Sequence, residues 1–453
     1  MCDVPNAAPN RPNLPDGCLA VPLNMVHTSC LSFSREGESM RRCVHVFSST
    51  SKRVNGMFRP FCKHQLVNGL PSTALLLGAV LAHCAMSALF AGSAYCAEWN
   101  PQTIVRIEGE QFFINGKPTY EGVTWKPASG GEYKIEGLLL NARMVQGIFD
   151  DLNPETRDRW AYPDTGKWDA DRNTDEFIQA MADWRAHGLI GFTINLQGGS
   201  PEGYSKSQPW HNSAIAADGS LRDDYMERLA RILKRADELG MVAILGYYYF
   251  GQDQRVEDEA AVIRSVENAT RWVLERGFRN VIIEINNECN IPTYEHDILK
   301  PDRVHELIER AKAIEHDGRR LYVSTSYGGG KIPEEKVIAV SDYVLLHGNG
   351  VRDPERMVQM VQTVRKMTAD QPKPIVNNED DRPWRDAHQG WGDDGNNFVA
   401  CVKNYASWGF FDFREQGEAF EEGYQSVPVD WTIGSERKKN FFGLLKRITE
   451  PSP

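Results

Sequence analysis

The chain has 453 residues, ordinary charged and apolar fractions and a net charge of −11, which argues against bulk disorder. Residues 1–97 carry eight Lys/Arg against four Asp/Glu, so residues 98–453 hold a net −15 of that total. An acidic body of this kind repels polyanions and excludes nucleic acid as a natural partner, while leaving neutral sugars open.

Seven of nine cysteines precede residue 97, and only Cys289 and Cys401 follow it. No Cys-x-x-Cys pair occurs, so neither a zinc knuckle nor a redox motif is supported. Residues 73–97 form an apolar run without a charged residue, preceded by Arg59 and Lys63 and ending in small residues. This is the layout of an export signal, with Ala94 or Ala97 as the cleavage point. Its position implies that translation starts at Met57 or Met40 and that residues 1–56 are a non-structural extension. An uncleaved signal anchor is the alternative, since the run approaches the ~20 residues of a membrane span. Either way residues 98–453 are expected outside the cytoplasm, secreted, periplasmic or membrane-anchored.

In the body, Ile104–Ile107 and Gln111–Ile114 read as a short hairpin, and Tyr120–Trp125 as a first strand. Residues 126–171 read as loop with short helices. Helical spacing then alternates with short apolar strands. Helices are expected over 175–187, 221–239, 257–276, 301–316, near 333–338, and over 353–368, 396–407 and 435–448. Strands are expected over 189–196, 241–249, 281–285, 321–326, 343–347, 374–379 and 409–413. Counted from Tyr120 this makes eight strands, which fits an α/β fold of the closed (β/α)8 TIM-barrel type behind the hairpin. An open doubly wound sheet is the alternative.

Catalytic groups of such barrels sit at the carboxyl ends of strands. Glu288 ends strand four in Val281-Ile-Ile-Glu-Ile-Asn-Asn-Glu-Cys-Asn290. Glu379 ends strand seven in Lys373-Pro-Ile-Val-Asn-Asn-Glu-Asp380. Two facing carboxyl groups are the equipment of a glycosidase. Glu284 reads as a structural residue, Asp380 and Asp381 as solvated loop charges, and Gly328-Gly-Gly-Lys331 as a loop rather than a phosphate cradle. Trp125 and Tyr249 are candidate sugar-stacking rings, with Gln197 a candidate hydroxyl ligand.

The Ile-Asn-Asn-Glu and Pro-Ile-Val-Asn-Asn-Glu runs and the Phe-Ile-Asn-Gly-Lys-Pro hairpin resemble glycoside hydrolase family 5 and its clan A relatives. The resemblance implies Glu288 as general acid/base, Glu379 as nucleophile, Asn287 as ligand of the sugar 2-hydroxyl, and His347 as the strand-six histidine. It also implies retaining hydrolysis of a poly- or oligosaccharide without metal or organic cofactor. The sequence departs from that pattern at Cys289, where the family usually has proline. It departs again at Asn349, where a tyrosine is common, and at strand eight, which lacks an obvious tryptophan. A silent carbohydrate-binding barrel and a metal-dependent barrel hydrolase are the rival expectations.

Overall fold

The computed structural model describes residues 99–205 and 207–450. The sequence opens with three short antiparallel strands, β1 (Val105–Glu108), β2 (Gln111–Ile114) and β3 (Lys117–Pro118). The turn between β2 and β3 uses Asn115 and Gly116, both at positive φ, as an Asn-Gly pair permits. The expected hairpin is therefore present.

The expected first barrel strand is not where the sequence placed it. Tyr120 and Gly122 adopt positive φ, which breaks any extended run there. Only β4 (Thr124–Trp125) is extended, and it pairs antiparallel with β5 (Tyr133–Lys134) outside the barrel. The first barrel strand is β6 (Asn141–Arg143), inside the stretch expected to be irregular. It is three residues long, and Asn141 and Arg143 interrupt its apolar pattern.

The other seven barrel strands match in order. They are β7 (Gly191–Asn195), β8 (Val242–Tyr248), β9 (Val281–Asn286), β10 (Val323–Ser324), β11 (Val344–His347), β12 (Ile375–Glu379) and β13 (Gly409–Phe410). Parallel pairing runs from β10 through β9, β8, β7 and β6 to β13. Bridges Val376–Ser407 and Asp380–Phe410 join β13 to β12, which pairs with β11. A bond from Asp342 N–H to the Val323 carbonyl (2.9 Å) closes β11 onto β10. Eight parallel strands thus form a closed barrel, and the open-sheet alternative falls away.

Helices cover the outside: α1 (Ala170–Ala186), α2 (Asp223–Glu238), α3 (Glu259–Glu275), α4 (Val304–Lys312), α5 (Glu335–Val340), α6 (Pro354–Met367), α7 (Arg382–Arg385), α8 (Asn397–Lys403) and α9 (Glu436–Thr449). Their starts are capped by local chemistry: the Asp169, Asp258, Asp353 and Ser435 side chains accept from the first turns of α1, α3, α6 and α9. The stripe Tyr225, Leu229, Ile232, Leu233 and Ala236 of α2 is fully buried. Each large apolar side chain of that kind contributes roughly 1.5–3 kcal/mol relative to exposure.

The barrel interior is polar only toward the carboxyl ends of its strands; one alternation earlier, Ile244, Ile282, Leu345 and Val376 pack as an apolar cluster. Asn378 Nδ2 of β12 reaches Glu284 of β9 across the lumen (3.2 Å). Gly246 is required beside Asn195, because a Cβ there would lie 2.3 Å from the amide oxygen. The apolar run at 73–97 lies outside the described residues. Among the described residues no helix is long and apolar enough to cross a membrane.

Candidate active site

The turn after β9 and the last residue of β12 deliver Glu288 and Glu379 to the same end of the barrel. Glu288 is held in the left-handed region, φ +52°, a conformation that costs a non-glycine residue about 1–3 kcal/mol and persists only when its surroundings enforce it. Here Ser326 does so from the loop after β10. Its hydroxyl accepts the Glu288 N–H and its carbonyl the Cys289 N–H, both at 2.9 Å. A proline at 289 could not make the second bond, so the departure at Cys289 has a structural use. Burial pushes the Cys289 thiol up, and the side chain is packed in the core.

At the end of β11 the register with β12 slips between Leu346 and His347, so that His347 lies opposite Glu379. His347 is fully buried, and its Nδ1 stands 2.9 Å from Glu288 Oε1 and 3.6 Å from Glu379 Oε2. The Asn349 amide bridges the same pair, with Nδ2 3.0 Å from Glu379 Oε1 and 3.4 Å from Glu288 Oε1. It also donates to the Tyr204 hydroxyl at 3.1 Å. Gly348 between them is obligatory, since a Cβ would fall 2.2 Å from Asp380 Oδ2.

Arg143, from β6, is the residue that sequence reasoning missed. Its Nε lies 2.9 Å from Glu379 Oε2 and its Nη2 donates to Asn287 Oδ1 at 3.0 Å. Asn287 is thereby oriented while its Nδ2 makes no hydrogen bond among the described residues. The one available signal was Leu138-Leu-Leu-Asn-Ala-Arg-Met-Val145, an apolar run with polar residues at alternate positions. Asn349 was noted only as a departure, and Tyr204 was not singled out. Tyr204 is 53% exposed and stands edge-on to Phe411 and Phe413.

The remaining expected site residues separate. Tyr249, at the end of β8, is buried against Phe250 with ring centroids 4.2 Å apart, and Gly199 passes close to its ring. Burial raises its hydroxyl pKa, with Glu379 adding to the rise and Arg143 opposing it, so the ring shares the field of the site. Gln197 is fully buried. Its Oε1 accepts Tyr249 N–H at 3.2 Å and its Nε2 donates to Ser213 at 3.2 Å, so it supports Tyr249 rather than facing the mouth. Trp125 is not brought to the glutamates. It lies 4% exposed in the β4–β5 ribbon, with Tyr133 and the Lys403 ammonium against its ring. The cause is the relocated first strand: Trp125 precedes β6 and is held in the ribbon with β5 instead of ending a barrel strand.

Asp380 and Asp381 are corrected as well, both being fully buried. Asp380 accepts from Trp408 Nε1 (2.9 Å) and Arg382 N–H (3.0 Å), and burial pushes it up to about 7. Trp408 is accordingly core, while just beyond β13 the Phe411 ring centroid lies 5.9 Å from the Arg143 guanidinium carbon.

The two glutamates titrate apart, as a close like-charged pair must. Burial raises Glu379 to about 7 over the opposing charges of Arg143 and His347. Burial also works against charge on Glu288, but the His347 hydrogen bond and charge, with Arg143, outweigh it and hold Glu288 below its ordinary value. One oxygen from each glutamate and a His347 nitrogen all lie within 4.8 Å of one another. That spacing would suit a small cation, but the fixed positive charge of Arg143 on Glu379 opposes one. The arrangement can therefore donate a proton and present a carboxylate to one bond at the same time.

No family model matches the sequence, and no curated protein matches it in sequence. Among solved structures, the fold is similar to a family 5 glycoside hydrolase from Bacteroides vulgatus ATCC 8482, with 11% identity and TM-score 0.45 over 74% of this chain and 70% of that one. It is also similar to a family 5 mannosidase from Rhizomucor miehei, with 13% identity and TM-score 0.43 over 77% and 98%. A third is a broad-specificity endoglucanase from Clostrdium longisporum, with 9% identity and TM-score 0.46 over 68% and 95%.

Proposed function

We propose that the protein is a retaining glycoside hydrolase acting on a poly- or oligosaccharide. The observation that carries this reading is the facing pair Glu288 and Glu379 at the carboxyl ends of β9 and β12, with oxygens inside 4.8 Å. Retaining enzymes hold their carboxyl groups about 5–5.5 Å apart, whereas inverting enzymes leave about 6.5–9.5 Å for a water.

Glu379, ion-paired with Arg143 and hydrogen-bonded by Asn349, is the nucleophile: its oxygen forms a bond to the anomeric carbon as the glycosidic bond breaks. Glu288 gives its proton to the departing oxygen. In the second step Glu288 takes a proton from water, the water oxygen bonds the anomeric carbon, and the Glu379 ester bond breaks. Asn287, oriented by Arg143, has an amide N–H free for the sugar 2-hydroxyl. The apolar run at 73–97 directs export of this catalytic barrel or anchors it.

The pKa order supports one competing assignment, with Glu379 as acid and Glu288 as nucleophile. Azide rescue separates the two. Glu379→Gly with azide should yield glycosyl azide of inverted configuration, and Glu288→Gly with azide the retained one; the exchanged pattern reverses the roles. Without any hydrolysis of aryl glycosides or a broad glycan panel by the unaltered protein, the reading becomes that of a sugar-binding barrel. Activity lost to chelators would support a metal-dependent hydrolase.

A further inference from the structure

One buried carboxylate has no part in the chemistry described so far. Glu284, four residues before Glu288 on β9, is fully buried in the barrel lumen. Its Oε2 accepts from Asn378 Nδ2, while its Oε1 makes no hydrogen bond among the described residues. That oxygen lies 4.0 Å from His347 Nε2, which is buried and likewise without a hydrogen bond among the described residues. His347 therefore stands between two carboxyl groups four residues apart, Nδ1 toward Glu288 and Nε2 toward Glu284.

We propose that Glu284 is a positioning residue that holds His347 as an imidazolium, with one N–H aimed at the catalytic carboxyl pair and the other at Glu284. This rests on the retaining reading of Glu288 and Glu379. Charge balance is the physical reason. Buried charge without a counter-charge is strongly unfavourable. The charged groups facing His347 are Glu284 of β9, Glu288 just beyond it and Glu379 of β12, and Arg143 of β6 faces the same three carboxyls. When the catalytic pair shares one proton, it carries one negative charge and Glu284 a second. Arg143 and a protonated His347 then cancel both, whereas a neutral imidazole leaves the cluster one charge short.

With the shared proton on Glu288, a charged His347 offsets the ionised Glu379 without giving up its own Nδ1 proton. Burial alone would lower the His347 pKa, but Glu379, Glu288 and Glu284 together raise it above the ordinary value. Glu284 supplies part of that field without touching the sugar.

The test is a 15N titration of the imidazole rings, with His347 assigned by its loss in His347→Asn. In the unaltered protein at pH 7, both His347 nitrogens should carry protons. Glu284→Gln should lower the His347 midpoint by about one pH unit or more, a tenfold loss of proton affinity, and Glu284→Asp should restore most of it. The kcat/KM profile should shift its limbs in Glu284→Gln while retaining a bell shape. An unchanged His347 midpoint in Glu284→Gln overturns the proposal, as does a neutral ring protonated only at Nε2 in the unaltered protein. The second observation decides even where Glu284→Gln fails to fold. Because the titration reads no turnover, it fails separately from the glycosidase reading.

Discussion

The outer layer of the barrel and its lumen obey opposite rules. Between helices and strands, side chains such as Leu229, Ile232, Ile283 and Leu346 fill space with apolar volume and leave little to satisfy. Inside the lumen sit Asn141, Arg143, Thr193, Asn195, Glu284, His347 and Asn378, all buried, each with at least one polar side-chain atom that has no hydrogen-bond partner among the described residues. The outer layer stabilises the fold, and it does so with enough margin to hold a lumen that opposes folding. Function is concentrated where the local energetics are worst.

That division can be broken deliberately. The largest effect is expected from Glu379→Gln, which should lower kcat on the order of 10⁴-fold, the scale seen for key groups of acid–base and nucleophilic machinery, without lowering Tm. Leu229→Ala in α2 should do the reverse, costing about 2–5 kcal/mol of stability in denaturant titrations with kcat unchanged in the folded fraction. A loss of turnover in the second variant, or of stability in the first, would dissolve the contrast.

The smallest effect is thermal. Burial raises Asp380 and Asp412 to about 7. Native carboxyls with raised pKa bind protons that the unfolded chain has released, so their contribution is full below the unfolded pKa of about 3.9 and lost as pH rises through about 7. Scanning calorimetry should show Asp380→Asn losing less Tm than the unaltered protein between about pH 4 and pH 7. His211, lowered to about 4 by burial, with Arg255 and Arg222 assisting, acts oppositely between there and its unfolded value of about 6.5, and it is common to both proteins. An equal pH dependence in the two would contradict the burial assigned to Asp380.

Strands β7 to β13 and the helices around them, apart from the one-turn α7, were legible in the sequence because apolar periodicity survives in any strand or helix packed on one another. β6 was not, since a three-residue strand with two inward polar side chains carries almost no periodic signal. Losing it cost the sequence reading Arg143, and misplaced Trp125 at the mouth. Glu288, Glu379 and His347 were found because they follow strands with clear apolar cores. Asn349 and Tyr204 were not, because their roles depend on a register slip after Leu346 and on a loop. Asp380 looked solvent-exposed beside three other acids and bases, and only the overlying Gly348 and Trp408 reveal that it is enclosed.

Cys289 gives the molecule a reporter of its own motion. It lies directly behind Glu288, buried, and with Cys401 it is one of two free thiols among the described residues. A thiol in that place reacts with an external reagent only when the end of β9 swings outward. Its labelling rate therefore clocks how often Glu288 leaves its strained pose, and a ligand that clamps Glu288 should slow that clock.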